Sequence, residues 1–320
     1  MFARGAGVTP AAELVVGLVN NMAPATRRTT EQQFAGILAA ASRTLDMRVR
    51  LLAVENLSGG TADALRALQE ARPDALIVTG AEPQCGSLAE EPLWPALARL
   101  ADWAAEHTTS AIWSCMAAHM VVYRLDRISR RRLPQKLSGV FACRRMTNHG
   151  LLANAPAAWT VPHSRRNGLD EMELRGNGYT ILSHGGPRVG PDSFVRQAGG
   201  SLFLMLQGHP EYGRDSLRGE YRRDVRRYLA GRRDSYPDVP HGYFDEKTTA
   251  ALTELRLQAG RVPDAALLAA LDAAVAVAPD HAWHGPAVRL FANWLTCLAQ
   301  RKAARDAAAL WPMRQRQVAS

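Results

Sequence analysis

The chain has 320 residues, 47% of them hydrophobic and 22% charged, with a formal net charge of +9. This is the usage of an ordinary globular protein and excludes disordered, collagen-like and coiled-coil classes, and a chain of this length buries enough surface to fold without disulfides. The basic excess, mostly arginine, points to anionic small ligands or a basic surface; Arg130 to Arg132 and Arg222, Arg223, Arg226 and Arg227 cluster, but no zinc-finger spacing, RNA-binding signature or aromatic-interleaved stripe accompanies them, so nucleic acid is not an expected partner.

In chain order, Leu14 to Val19 is an apolar run of strand length, without the basic region and cleavage pattern of a signal peptide. A helical pattern follows from about Thr30 to Ala41. Val49 to Val54 reads as a strand, Thr61 to Glu70 as a helix, Ala75 to Thr79 as a strand, Leu93 to Glu106 as a helix and Ser110 to Ser114 as a strand. Continuously apolar strands separated by helices predict a parallel sheet covered on both faces, joined by right-handed crossovers. Between about 139 and 206 the texture changes to short β-like segments, Gly139 to Ala142, Tyr179 to Ser183 and Leu202 to Leu206. Strands without intervening helices predict an antiparallel extension of the same sheet. A helix is expected from Arg214 to Leu229, and an alanine-rich helical tail from about residue 247 through Trp294. No repeat or flexible linker divides the chain, so a single α/β domain over 1–320, with its core at about 14–300, is the expected organisation. No run approaches the roughly 18 apolar residues of a membrane span. A cytoplasmic location is expected, and Cys85, Cys115, Cys143 and Cys297 lie too far apart for a CxxC metal or redox pattern, so no metal is expected.

Two strand ends carry the chemistry. Cys115 closes the strand at Ser110 to Ser114 and opens the helical run that begins at Met116. A thiol at such a turn lies beside a helix N-terminus, whose unpaired amides and dipole favour a thiolate and can hold the oxyanion of a tetrahedral intermediate. His209 and Glu211 follow the strand Leu202 to Leu206 within Gln207-Gly208-His209-Pro210-Glu211-Tyr212. A neutral imidazole there can take the thiol proton while the carboxylate orients it. His119, one helical turn past Cys115, is a competing base. On the helix from Arg214, the stripe Leu217, Tyr221, Val225, Tyr228 is the expected buried face, and Arg223 is placed to pair with Glu220.

These residues, together with Gln135 to Phe141, Pro162-His163-Ser164-Arg165, Glu220 to Asp224, Val78-Thr79-Gly80-Ala81 and Trp283-His284-Gly285, resemble the homoserine O-acyltransferases of methionine biosynthesis. That family is built on a class I glutamine amidotransferase-like fold, a flavodoxin-like three-layer sandwich. The resemblance implies that Cys115 is the acyl-accepting nucleophile, His209 the general base and Glu211 its acidic partner, with Lys136, Ser164 and Arg223 contacting the amino-acid substrate. It implies no bound cofactor, acyl-coenzyme A as co-substrate, and a homodimer. Gln84 falls where the family sets acyl selectivity, by glycine for succinyl-CoA or glutamate for acetyl-CoA. Its bulk matches glutamate and favours acetyl, while its lack of charge and its donating amide permit succinyl; the basic composition, which welcomes the extra anion, tilts the expectation toward succinyl. Met116 and His119 replace a usual Trp and Gln, and the segment Asn20 to Arg28 departs from the usual Asn-Leu-Met-Pro followed by lysines. Serine as acceptor, a glutamine amidotransferase-like hydrolase, and a basic binding protein on a catalytically dead fold are the alternative readings.

Overall fold

The computed structural model describes residues 13–318, apart from 55–56, 58–59, 261–262 and 277–278; the first twelve positions of the expected domain lie outside it. Four strands form as the apolar runs predict, β1 (Leu14–Val19), β2 (Val49–Val54), β3 (Ala75–Thr79) and β4 (Ser110–Ser114). Helices α1 (Pro24–Leu45), α2 (Thr61–Ala71) and α3 (Trp94–His107) connect them, and α4 (Met116–Asp126) follows β4. α1 begins six residues before the predicted start because Pro24 sits in its first turn, where the missing N–H costs nothing.

Five further strands complete one nine-stranded sheet: β5 (Arg131–Arg145), β6 (Ala158–Gly168), β7 (Thr180–His184), β8 (Pro191–Ala198) and β9 (Ser201–Leu206), in the order β2-β1-β3-β4-β9-β8-β7-β5-β6. The first five in that order are parallel and the rest antiparallel, as expected of the two halves. The expected β-segment Gly139 to Ala142 proves to be the middle of a 15-residue strand, and β6 and β8 were not foreseen.

Strand periodicity builds the three layers. In β3, Leu76 and Val78 face a core shared with Leu68 of α2, Leu97 and Leu100 of α3 and Met120 and Val121 of α4. Ala75 and Ile77 face the other side, with Phe34, Ile37 and Leu38 of α1 and Phe291, Trp294, Leu295 and Leu298 of α10 (His284–Val318). β4 divides in the same way, Ala111 and Trp113 against Ile112.

The short helices α5 (Glu171–Gly176) and α6 (Gly186–Val189) flank the antiparallel half, and α7 (Ser216–Leu229) follows β9. In α7 the predicted stripe is buried at Leu217, Tyr221 and Val225, with Asp224 beside it. Tyr221 and Val225 of that stripe pack against α8 (Glu246–Gln258) and α9 (Asp264–Ala274) through Leu252, Leu255, Leu267 and Leu271. Among the described residues, no helix is long and apolar enough to cross a membrane.

Candidate active site

β4 and β9 are parallel neighbours, with Ser110 beside Leu202 and Ser114 beside Leu206. The residues that follow them therefore emerge together at the carboxyl edge of the sheet, where open α/β sheets take their ligands. Cys115 comes first after β4, and its amide donates to the Leu206 carbonyl at 2.7 Å. It is held at φ 51°, ψ −111°, a conformation that costs a non-glycine residue about 1–3 kcal/mol. The sharp turn is accommodated by Gly80, just past β3: a Cβ there would lie 2.5 Å from Met116 Cβ and 2.8 Å from the Ala117 amide nitrogen. Gly80→Ala therefore has to displace backbone rather than a flexible tip. Its kcat is expected to fall about 10²-fold, with a stability loss of about 1–3 kcal/mol; a kcat equal to wild type contradicts this account of the turn.

Past β9, the Gln207 amide donates to Asp192 and the His209 amide to Pro162, each at 2.8 Å. Gly208 allows this close approach, since a Cβ on it would meet Val161 at 2.6 Å and Asp192 Oδ1 at 2.7 Å. His209 Nδ1 stands 2.9 Å from Glu211 Oε1, with both side chains largely buried. The Tyr212 ring stacks on the imidazole at a centroid distance of 4.3 Å, and the Tyr212 carbonyl accepts from Trp283 Nε1 at 2.8 Å. Burial alone would strip the proton from His209. The Glu211 carboxylate and the charge and hydrogen bond of the Cys115 sulfur outweigh it, raising its proton affinity well above the ordinary histidine value. The two strand ends thus bring Cys115, His209 and Glu211 into one arrangement.

Behind them lies a buried polar cluster. Cys143, His163 and Asp192 hold their polar atoms within 4.8 Å of one another, with His163 Nε2 3.2 Å from Asp192 Oδ1. Burial pushes the Cys143 thiol far up and lowers the proton affinity of His163, although Asp192 pulls it the other way. Arg165 donates from Nε to His163 Nδ1 at 3.3 Å and from its other nitrogens to the carbonyls of Asn167 and Val189.

One wall of the site is organised by Glu220 of α7. It accepts from Tyr212 Oη at 2.6 Å and from Ser164 Oγ, and stands 3.7 Å from Lys136 Nζ. Lys136 donates to Asp224 at 2.9 Å, where Arg233 also pairs at 3.1 Å. Lys136 and Ser164 are thereby joined to the His209 turn. Arg223 is not paired with Glu220 as its spacing suggested. Both Glu220 oxygens are taken, and Arg223, 40% exposed, pairs among the described residues with Asp224 alone, at 3.6 Å.

His119 is not the alternative base. It is buried, its Nε2 lies 2.9 Å from Gln207 Oε1, and burial lowers its pKa to about 3 despite that hydrogen bond. Folded His119 thus stays neutral where an unfolded histidine, ordinarily at 6.5, takes up a proton. Its stabilisation is complete above pH 6.5 and is lost progressively as the pH falls toward 3. Between pH 7 and pH 5 the wild type is expected to lose about 2 kcal/mol more than His119→Gln, which urea unfolding at the two pH values measures; equal losses contradict it.

Gln84 is exposed, in the loop between β3 and α3. Its amide and that of Cys85 donate to the buried carboxylate of Glu91 at 3.1–3.2 Å, and the neighbouring Glu82 pairs with Arg227 of α7 at 2.9 Å. The loop is thus fastened on one side to α7. Sequence reasoning gave no role to Tyr212, Asp224 or the His163–Asp192 cluster, and to Glu220 only that of pairing with Arg223. The available signal was a set of polar side chains in segments too rich in strand neighbours to be loops.

The profile of the homoserine O-succinyltransferase family matches residues 3–304. The chain belongs to this family. It is 44% identical over 294 residues to a homoserine O-succinyltransferase of Rhodopseudomonas palustris, covering 89% of this chain and 88% of the relative. It is 40% identical over 300 residues to a homoserine O-succinyltransferase of Methylorubrum extorquens, covering 91% and 88%. Among solved structures, a glutamine amidotransferase from Methylobacillus flagellatus superposes with a TM-score of 0.51 at 12% identity, over 90% of this chain and 95% of that one, a likeness of fold alone. Membership of the homoserine O-succinyltransferase family makes the chain an acyltransferase, with the amidotransferase-like layered sheet that the resemblance implied.

Proposed function

We propose that the chain transfers the succinyl group of succinyl-coenzyme A to the hydroxyl of L-homoserine, in methionine biosynthesis, through a thioester on Cys115. The observation that carries this reading is the meeting of the strained Cys115 turn with the His209–Glu211 pair at adjacent strand ends. In the first half-reaction the Cys115 sulfur attacks the thioester carbonyl, and the first-turn amides of α4, which have no intrahelical acceptors, receive the oxyanion. The C–S bond to coenzyme A breaks, and the leaving thiolate takes the proton held on His209.

Acylation removes the negative charge from Cys115 and with it part of what raised the proton affinity of His209. The imidazole, neutral after giving up its proton, then accepts one from the homoserine hydroxyl as the oxygen attacks the acyl-enzyme. The ester forms, the Cys115–carbonyl bond breaks, and the sulfur and the imidazolium are restored. Lys136, Ser164 and Arg223 receive the amino acid, the guanidinium of Arg223 being suited to its carboxylate. Gln84 borders the acyl pocket without adding a charge that would repel a dicarboxylic acyl group.

The test is a matrix of succinyl- and acetyl-coenzyme A against homoserine and serine, repeated with Gln84→Gly and Gln84→Glu. Succinyl transfer to homoserine is expected to be fastest, and Gln84→Glu is expected to turn preference toward acetyl. An acetyl preference in the wild type contradicts the donor assignment, and unchanged preference in both variants contradicts the role of Gln84.

A further inference from the structure

The basic run Arg130 to Arg132 divides at the start of β5. Arg131 faces outward, pairing with Asp170 at 2.7 Å and Glu173 at 3.0 Å. Arg130 turns inward, with its side chain 4% exposed against a Glu91 side chain 1% exposed. Its Nη2 donates to Glu91 Oε1 at 2.7 Å and to the carbonyls of Cys85 and Gly86. Its Nε and Nη1 are buried and have no acceptor among the described residues. A guanidinium taken from water with hydrogens unsatisfied is costly. Glu91 meets only Nη2 of Arg130, its oxygens serving the Gln84 and Cys85 amides as well.

The surroundings call for an anion. The loop that seats Arg130 begins at Gly80, against Met116 and Ala117 of the nucleophile turn, and reaches Cys85 five residues later. The charge of Arg130 is felt at His119, as is that of Arg165, whose own hydrogen bonds go to His163 and two backbone carbonyls while Asp192 balances part of its charge. His119 lies one helical turn, about 6 Å, along α4 from Cys115. A four-carbon dicarboxylic acyl group resting on Cys115 spans that distance.

We propose that Arg130, braced by Glu91 beneath the Gln84–Gly86 backbone, binds the distal carboxylate of the acyl donor and so selects a dicarboxylic monothioester over a neutral acyl group. The proposal rests on the reading of succinyl-coenzyme A as donor. Binding supplies the missing acceptor for the Nε and Nη1 hydrogens, with the Gln84 loop shifting to admit the carboxylate. Charge-assisted hydrogen bonds of this kind are the strong ones. A neutral acetyl group leaves the same hydrogens unpaired.

The test compares kcat/KM for succinyl-coenzyme A, acetyl-coenzyme A and the methyl ester of succinyl-coenzyme A, whose distal group is uncharged and one methyl larger. In the wild type the ester is expected to lose at least about tenfold against the free acid. Arg130→Gln is expected to lose a similar factor with succinyl-coenzyme A, mainly in KM, to change little with acetyl-coenzyme A, and no longer to distinguish acid from ester. Equal losses with all three donors would assign Arg130 a fastening role only and overturn the proposal while leaving the donor reading intact. A wild type that prefers acetyl-coenzyme A overturns the donor reading itself. If Arg130→Gln fails to fold because Glu91 is left unpaired, the doubly neutral Glu91→Gln/Arg130→Gln variant removes that cause. The ester comparison in the wild type decides independently, since equal use of acid and ester overturns the proposal.

Discussion

Cys115→Gly is expected to abolish acyl transfer while making the fold more stable. The rate effect follows from the loss of the sulfur on which, in the proposed mechanism, the acyl chain rests between half-reactions. Removal of a covalent nucleophile costs on the order of 10⁴ or more in kcat, with the residue coming from binding and oxyanion donors. The stability effect has the opposite sign because φ 51°, ψ −111° at Cys115 is strained for a side chain and open to glycine. Relief of that strain, less the greater chain entropy glycine loses on folding, leaves a gain of about 1 kcal/mol. Thermal unfolding and turnover on the same variant check both signs. A destabilised Cys115→Gly protein would mean that the turn is not strained, and a variant with substantial turnover would remove Cys115 from the chemistry.

His209→Asn is expected to lower kcat by about 10²–10⁴-fold, because in the proposed mechanism one imidazole serves both half-reactions, as acid toward coenzyme A and as base toward the acceptor hydroxyl. Glu211→Gln separates orientation from charge. Glu211 keeps the proton on His209 against burial, so its neutral replacement lowers the proton affinity of the ring. Turnover limited by the second half-reaction needs His209 neutral, and its acid limb is therefore expected to move to lower pH in Glu211→Gln while the plateau falls. An acid limb that stays in place, or moves to higher pH, would contradict the coupling of these two side chains. Because the folded-state proton affinity of His209 is raised, its contribution to stability is complete below the unfolded value near 6.5 and is lost as pH rises through the folded value.

The parallel half of the fold was legible because its inner strands β1, β3 and β4 are buried on both faces. Val78 and Ile77 in β3, or Trp113 and Ile112 in β4, leave no polar position in the middle of the run, whereas the edge strand β2 is only partly buried and carries Arg50. β6 and β8 were illegible for the reason that makes them interesting. His163, Ser164 and Arg165 in β6 and Asp192 and Ser193 in β8 put polar side chains into buried strands, where hydrogen bonds replace the apolar pattern on which strand reading depends. Cys115 and His209 were legible from their place after strands, since parallel register aligns the two strand ends. The partners of Glu220 could not be read, because Ser164 and Tyr212 reach it from different elements, and helical spacing suggested only Arg223. The Glu91–Arg130 pair joins residues with no periodic relation and is set by tertiary packing alone.

In the proposed mechanism an acyl group rests on Cys115 between two separable half-reactions. Rapid mixing of the enzyme with succinyl-coenzyme A in the absence of any acceptor, followed by intact-mass and peptide analysis, tests it most directly. The account predicts a burst of free coenzyme A close to one equivalent per active site and a succinyl group on the Cys115 peptide, discharged when homoserine is added. Release of coenzyme A only when homoserine is present, with Cys115 unmodified throughout, would contradict it.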